Sequence, residues 1–319
     1  MCMKQLLTIV SFFIATCVVM AQNNEHRVPP ATVSNKEVKI LEIDRNKRGF
    51  TYSNDVVYVQ RDTLDLHLQI IYSRGNPALP CIVYIQGSAW FKQNVHGNLP
   101  QMMDFARRGY AIAIVEYRPS TVAPFPAQII DTRAAIRFLR KNAGKYNLDV
   151  NNFFLWGDSS GGHTAVFTGI TAGMPEFSDN SLSEFSDSVN AIVDYYGPTD
   201  VSKMSEYPSI FDHVQPQSPE GMLLGGVNVL ENKDKAKAAN PMTYLSESKK
   251  IPPILIAHGD VDALVHFSQS DMLANKLQAT GKVFEFYKLN GADHGTAEFW
   301  SKEMFDLVEA FLRKYTREN

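Results

Sequence analysis

The stretch at 153–165, Phe153-Phe154-Leu155-Trp156-Gly157-Asp158-Ser159-Ser160-Gly161-Gly162-His163-Thr164-Ala165, narrows the folds open to this chain more than any other. It reads as a short apolar strand, a turn with glycines at the crowded positions, and a helix. Its centre fits the pattern G-x-S-x-G, in which a serine sits on a sharp strand-to-helix turn. The spacing has a steric cause. The turn cramps the serine backbone, so the residues two before and two after it must be small; Gly157 and Gly161 carry no Cβ. The following helix aims its unpaired N–H groups at the same spot, where a negative oxygen can be held. Ser159 is therefore the candidate nucleophile.

The rest of the chain supplies the scaffold such a turn needs. Residues 55–59 and 64–70 alternate apolar and polar, as half-buried antiparallel strands do. Residues 81–85 and 111–115 are continuous apolar runs, the mark of strands covered on both faces. Residues 153–156, 191–195, 254–257 and 283–287 continue the series. Helical periodicity lies between them. Residues 127–141 place Ile130, Ala134 and Phe138 on one face, with Arg133, Arg137 and Arg140 elsewhere on the wheel. Residues 297–315 repeat the pattern with Trp300, Met304, Val308, Phe311, Leu312 and Tyr315. Strands alternating with helices predict an α/β class fold with a mostly parallel, doubly wound sheet. Residues 198–240 break the rhythm with Pro198, Pro208, Pro216, Pro219, Gly221, Gly225 and Gly226. They are read as an insertion folded over the strand ends, where ligands bind in open α/β sheets.

The N-terminus reads as an address. Lys4 precedes an apolar run at 6–19 that is short for a bilayer span, and Val19-Met20-Ala21 offers a cleavage site. The expected division is a signal peptide at 1–21, an N-terminal arm at 22–49 and the α/β domain at 50–319, in the periplasm or outside the cell. Cys17 within Ile14-Ala15-Thr16-Cys17 is a minor lipidation alternative. After cleavage only Cys81 remains, so no internal disulfide forms, and Cys81 reads as a buried small hydrophobe. A formal charge of −3, from 31 basic and 34 acidic residues, gives no electrostatic case for nucleic acid or an anionic membrane as partner.

A serine hydroxyl needs a base to take its proton and a carboxylate to orient that base. His294, in the loop Leu289-Asn290-Gly291-Ala292-Asp293-His294-Gly295 between the last strand and the last helix, is the candidate base. His163, on the helix behind Ser159, reads as a packed or capping group. The loop His258-Gly259-Asp260-Val261-Asp262 offers two carboxylates, Asp260 and Asp262, between which periodicity does not choose. An oxyanion needs two backbone N–H groups. Ser160 supplies one, and the loop Gln86-Gly87-Ser88-Ala89-Trp90 the other, with Ser88 favoured and Ala89 the alternative. Trp90, Phe91, Tyr195 and Tyr196 can line a substrate pocket or simply pack under the insertion.

On these residues the chain resembles the α/β-hydrolase superfamily, in the branch of secreted bacterial carbohydrate esterases related to feruloyl and acetylxylan esterases. The likeness covers most of residues 55–312. It is carried by Gly157-Asp158-Ser159-Ser160-Gly161-Gly162-His163, Tyr196-Gly197-Pro198-Thr199-Asp200, Leu223-Leu224-Gly225-Gly226, Asn240-Pro241-Met242-Thr243-Tyr244 and His258-Gly259-Asp260-Val261-Asp262. The resemblance implies a serine carboxylesterase that removes acetyl or feruloyl groups from plant-type polysaccharide or its oligosaccharides, with no metal and no organic cofactor. It also implies that the second aspartate of H-G-D-x-D, Asp262, is the acid. One departure stands out. The family pattern has His-Gly-Gly, a small residue and Trp, where this chain has Gln86-Gly87-Ser88-Ala89-Trp90. Peptidases and arylformamidases share the sheet and turn, and a non-catalytic carbohydrate-binding homologue is the reading from another class.

Overall fold

The computed structural model describes residues 31–32, 34–42, 49–74, 77–179 and 181–318. The expected signal peptide and Cys17 lie outside them. The chain divides into two units, Met1–Asn46 and Lys47–Asn319. The described residues of the first hold a turn at Lys36 and Glu37 and no helix or strand.

The second unit runs β1 (Phe50–Arg61), β2 (Leu64–Ser73), β3 (Leu79–Ile85), α1 (Leu99–Arg107), β4 (Ala111–Val115), α2 (Ala127–Lys141), α3 (Ala143–Tyr146), β5 (Leu148–Asp158), α4 (Ser160–Ile170) and β6 (Ala191–Tyr195). It continues through α5 (Pro219–Leu223), α6 (Lys233–Ala238), β7 (Ile254–Gly259), α7 (Ser268–Ala279), β8 (Phe284–Leu289) and α8 (Lys302–Lys314). The described strands form one sheet in the order β1-β2-β4-β3-β5-β6-β7-β8. The β1–β2 and β2–β4 pairings are antiparallel and the rest are parallel. Among the described residues no helix is long and apolar enough to cross a membrane.

The continuous apolar runs follow from burial on both faces. In β3, Cys81, Val83 and Ile85 enter one core with Ala134, Ile136 and Leu139 of α2, while Ile82 and Tyr84 enter the other with Phe105 of α1 and Phe311 of α8. The period of two along a strand makes both assignments at once. Cys81 is fully buried, and burial pushes its thiol up to about 12, so it stays protonated.

On the helix at 127–141 two arginines away from the apolar face, Arg133 and Arg137, are also buried. Arg137 pairs with Asp187 at 3.0 Å, and Arg133 donates to the Met174 carbonyl at 2.8 Å. The connection after α4 covers this helix, and its carboxylate and carbonyls take the place of water. Residues 198–240 build a small core of their own, with Val201, Leu223, Leu224, Val229, Ala236 and Ala239 packed around Trp90.

The turn at Ser159 is as tight as its glycines require. Ser159 sits at φ 52° and ψ −129°. A Cβ on Gly157 would lie 2.1 Å from the Gly161 carbonyl oxygen, and one on Gly161 would lie 1.9 Å from that of Ile85. Both obstacles are backbone, so nothing rotates out of the way. Gly161→Ala is expected to destabilise the protein by about 3 kcal/mol, the upper end for an overpacked interior. Thermal or denaturant unfolding checks this, and a stability unchanged from wild type contradicts the steric account.

Candidate active site

Ser159 leaves the C-terminal end of β5 and meets the N-terminus of α4. His294 reaches it from the loop after β8. The Ser159 hydroxyl donates to His294 Nε2 at 2.9 Å, and His294 Nδ1 donates to Asp262 Oδ2 at 2.7 Å. The ionised carboxylate can only accept, which puts the imidazole proton on Nδ1 and leaves the Nε2 lone pair facing the serine.

Asp262 is fully enclosed yet well supplied with donors. Its Oδ1 accepts the N–H groups of Leu264 at 2.9 Å and Val265 at 2.8 Å. His258 Nε2 stands 3.3 Å from Oδ2 and also donates to the Val265 carbonyl at 2.8 Å, while Ser270 Oγ donates to His258 Nδ1 at 2.7 Å. Burial alone would raise the Asp262 carboxyl, but the hydrogen bonds from His258 and His294 outweigh it and hold the group well below the ordinary carboxylate range. His258, which in the sequence only ends a strand, is a buried prop for the acid. A histidine four residues before the carboxylate was the available signal.

Asp260 does a different job. Its Oδ1 accepts the Gly291 N–H at 2.6 Å, and Lys288 lies 3.1 Å from Oδ2. Asp293 returns the tie, accepting the N–H of Ala263 at 2.9 Å. The two aspartates thus fasten the loops of Asp262 and His294 to each other. Tyr196, at φ 42°, turns its ring under His294, with centroids 4.7 Å apart, and against Phe299 at 4.4 Å. Of the two readings of Tyr196, pocket lining or packing, its burial agrees with packing. It is buried behind His294 and is not among the residues that border the cavity beside Ser159.

The loop after β3 also departs from expectation. Ser88 has an ordinary φ, but its N–H donates to Ser160 Oγ at 2.9 Å and so is not aimed at a position above Ser159. Its hydroxyl donates to the Phe91 carbonyl at 2.8 Å and takes a bond from Tyr117 at 3.1 Å. The left-handed backbone falls one residue later, at Ala89 (φ 54°) and Trp90 (φ 58°). The N–H groups of Ala89 and Ser160 make no bond to another described group, and both residues border the same cavity as Ser159. Asp158 faces away from Ser159, accepting from Tyr84 Oη at 2.5 Å and the Gly87 N–H at 3.0 Å, which anchors the start of this loop.

Trp90 packs edge-on against His163 at 5.2 Å and donates its indole N–H to His163 Nδ1 at 3.3 Å. His163 Nε2 donates to the Ala239 carbonyl at 2.8 Å. Burial lowers its pKa to about 4, so it stays neutral and ties the loop, α4 and the inserted segment together. The cavity measures about 240 Å³. Trp90, Phe91, Met204, Phe211 and Leu264 make much of its wall apolar. Among the described residues, no group of three or more His, Cys, Asp or Glu side chains could hold a metal ion.

Known proteins share this arrangement of elements. Esterase LipC of Mycobacterium tuberculosis is 26% identical over 242 residues, 72% of this chain and 54% of LipC. The chain thus spans about half the length of that curated relative. A truncated carbohydrate esterase from gut microbiota superposes with a TM-score of 0.75 at 29% identity, covering 85% of this chain and 98% of the other. A bifunctional GH43-CE protein of Bacteroides eggerthii gives 0.74 at 30% identity, covering 83% of this chain and 38% of the other. The BD-FAE family model matches residues 64–277, more than half of the chain. With its mostly parallel sheet, its strained serine turn and that match, the chain belongs to BD-FAE, an α/β-hydrolase family.

Proposed function

We propose that the protein is an exported serine esterase that removes acetyl or feruloyl groups from plant-type polysaccharide or its oligosaccharides. The observation that carries this is the His294 imidazole, bonded at once to the Ser159 hydroxyl at 2.9 Å and to Asp262 at 2.7 Å. The carbohydrate part rests on the two solved structures at 29% and 30% identity, both described as carbohydrate esterases or fused to one.

In this reading Ser159 Oγ attacks the ester carbonyl as its proton passes to His294 Nε2. The charge formed on the imidazole is stabilised by Asp262, which its hydrogen bonds keep ionised. The carbonyl oxygen, now negative, lies between the N–H groups of Ala89 and Ser160. Donors held in place before the reaction need no reorganisation, and each is worth about 3 kcal/mol of transition-state stabilisation. The leaving alcohol takes the proton from Nε2. Water then attacks the acyl-enzyme with His294 as base again, releasing the acid and restoring Ser159.

A fluorophosphonate probe is expected to label Ser159 stoichiometrically, because only an activated serine reacts. Acetylated and feruloylated xylo-oligomers are expected to be deacylated, with peptide and formanilide substrates untouched. An unlabelled Ser159 rejects the esterase reading in favour of a carbohydrate-binding protein.

A further inference from the structure

The wall of the cavity also contains a buried histidine–glutamate pair. His213 and Glu220 both border the cavity that holds Ser159, and both are almost entirely withdrawn from solvent. His213 Nδ1 donates to Glu220 Oε1 at 3.0 Å and Nε2 donates to Ser209 Oγ at 2.7 Å; Ser209 in turn donates to the Leu264 carbonyl at 3.1 Å. Burial would lower the His213 pKa, but the bond to Glu220 and its charge raise it, which favours a protonated imidazole beside a carboxylate.

One atom in this arrangement is left over. Glu220 Oε2 is buried and has no hydrogen-bond partner among the described residues. An unmade bond at a buried acceptor is a standing penalty unless something arrives to make it. The terminal torsion of a glutamate is broad, so the carboxylate can tilt toward the cavity without changing rotamer. Resting on the esterase reading above, we propose that Glu220, oriented by His213, is the specificity-determining end of this cavity and accepts a hydrogen bond from a neutral hydroxyl of the substrate.

A hydroxyl fits better than a cation. Glu220 is already paired with His213 at 3.0 Å, and much of the remaining wall is apolar. A cavity of about 150 Å³ accepts a benzene ring, so about 240 Å³ admits an aryl group with a hydroxyl at its far end. A hydroxyl on a sugar ring offers the same chemistry from the other side of the ester.

The test compares matched esters that differ by one hydroxyl. In the acyl arm these are methyl 4-hydroxycinnamate and methyl cinnamate; in the sugar arm, a monoacetylated xylobioside and its deoxy analogue. The wild-type enzyme is expected to favour the hydroxylated member of one pair by about ten- to a hundredfold in kcat/KM, the range for a bond to a charged acceptor. The arm in which this occurs identifies the source. In Glu220→Gln the amide oxygen must face His213, since an amide NH₂ cannot accept. A donor then replaces Oε2, and the preference is expected to fall about tenfold. Equal rates within both pairs overturn the proposal, as does an unchanged preference in the folded variant. A bound structure needs no variant to fold: with 4-hydroxycinnamate or xylobiose in the cavity, the hydroxyl is expected within hydrogen-bond distance of Oε2, and its absence there in both overturns the proposal. Wild-type turnover of 4-nitrophenyl acetate separates the two failures. Turnover with flat ratios removes only the role of Glu220, whereas no turnover removes the esterase reading and this proposal together.

Discussion

Ser159→Ala is expected to lower kcat/KM for 4-nitrophenyl acetate by about a millionfold, the size of effect when the nucleophile of such a triad is deleted. The fold should survive. Among the described residues the Ser159 side chain bonds only to His294, and alanine meets the same backbone strain at φ 52° as serine does. The melting temperature is therefore expected to stay within a few degrees of wild type, while fluorophosphonate labelling disappears. A variant that keeps more than a hundredth of the activity would mean that another group attacks the ester.

Asp262→Asn carries the second-largest effect, a loss of about ten-thousandfold in kcat, and the surroundings of the carboxylate dictate why. Oδ1 accepts two backbone N–H groups, from Leu264 and Val265. In the variant only the amide oxygen can occupy that place, because an NH₂ group does not accept. The amide NH₂ is left where Oδ2 was, pointing a proton at His294 Nδ1. The imidazole must then carry its own proton on Nε2, and the lone pair that takes the Ser159 proton is gone. The same variant changes acid stability. The Asp262 carboxyl is depressed in the folded protein, so its contribution to stability is complete above the unfolded value of about 4 and is lost as pH falls through the folded value. Melting followed from pH 7 to pH 3 is expected to show a shallower acid decline in Asp262→Asn than in wild type. An equal decline would mean that this carboxylate gains nothing from its four donors.

The parts of the molecule that could be read from residue order are those governed by short-range rules. Alternation placed β1 and β2, continuous apolar runs placed β3 and β4, and the glycines around Ser159 placed the turn, because each signal lies within a few residues of its cause. His294 and Asp262 followed from order along the chain and from a resemblance. What escaped depended on contacts between distant segments. The Ser88 N–H is taken by a side chain 72 positions away, and nothing in Gln86-Gly87-Ser88-Ala89-Trp90 announces that the left-handed residues are Ala89 and Trp90. The choice between pocket lining and packing stayed open for Tyr196 because its positive φ, which turns it under His294, is invisible in a string of letters. The burial of Arg133 and Arg137 could not be read from the helix alone, because their partners sit on a separate connection. The pairing of His213 with Glu220 is short in sequence, but its place on the cavity wall depends on how residues 198–240 lie across the sheet.

The ties between Ser209 and the Leu264 carbonyl, and between the Ile210 N–H and the Ala263 carbonyl at 3.0 Å, bear on how relatives of this protein can diverge. Those carbonyls belong to the loop that carries Asp262, so in the proposed esterase reading the segment bordering the cavity and the segment aligning the proton relay share hydrogen bonds. In that reading a lineage that redraws the cavity through residues 209–213 is expected to disturb the relay as well, with turnover falling before a new preference is gained. Met204 and Phe91 border the cavity from outside residues 209–213 and carry neither of those two bonds, so in that reading they are where substrate choice is expected to change at the least cost to turnover.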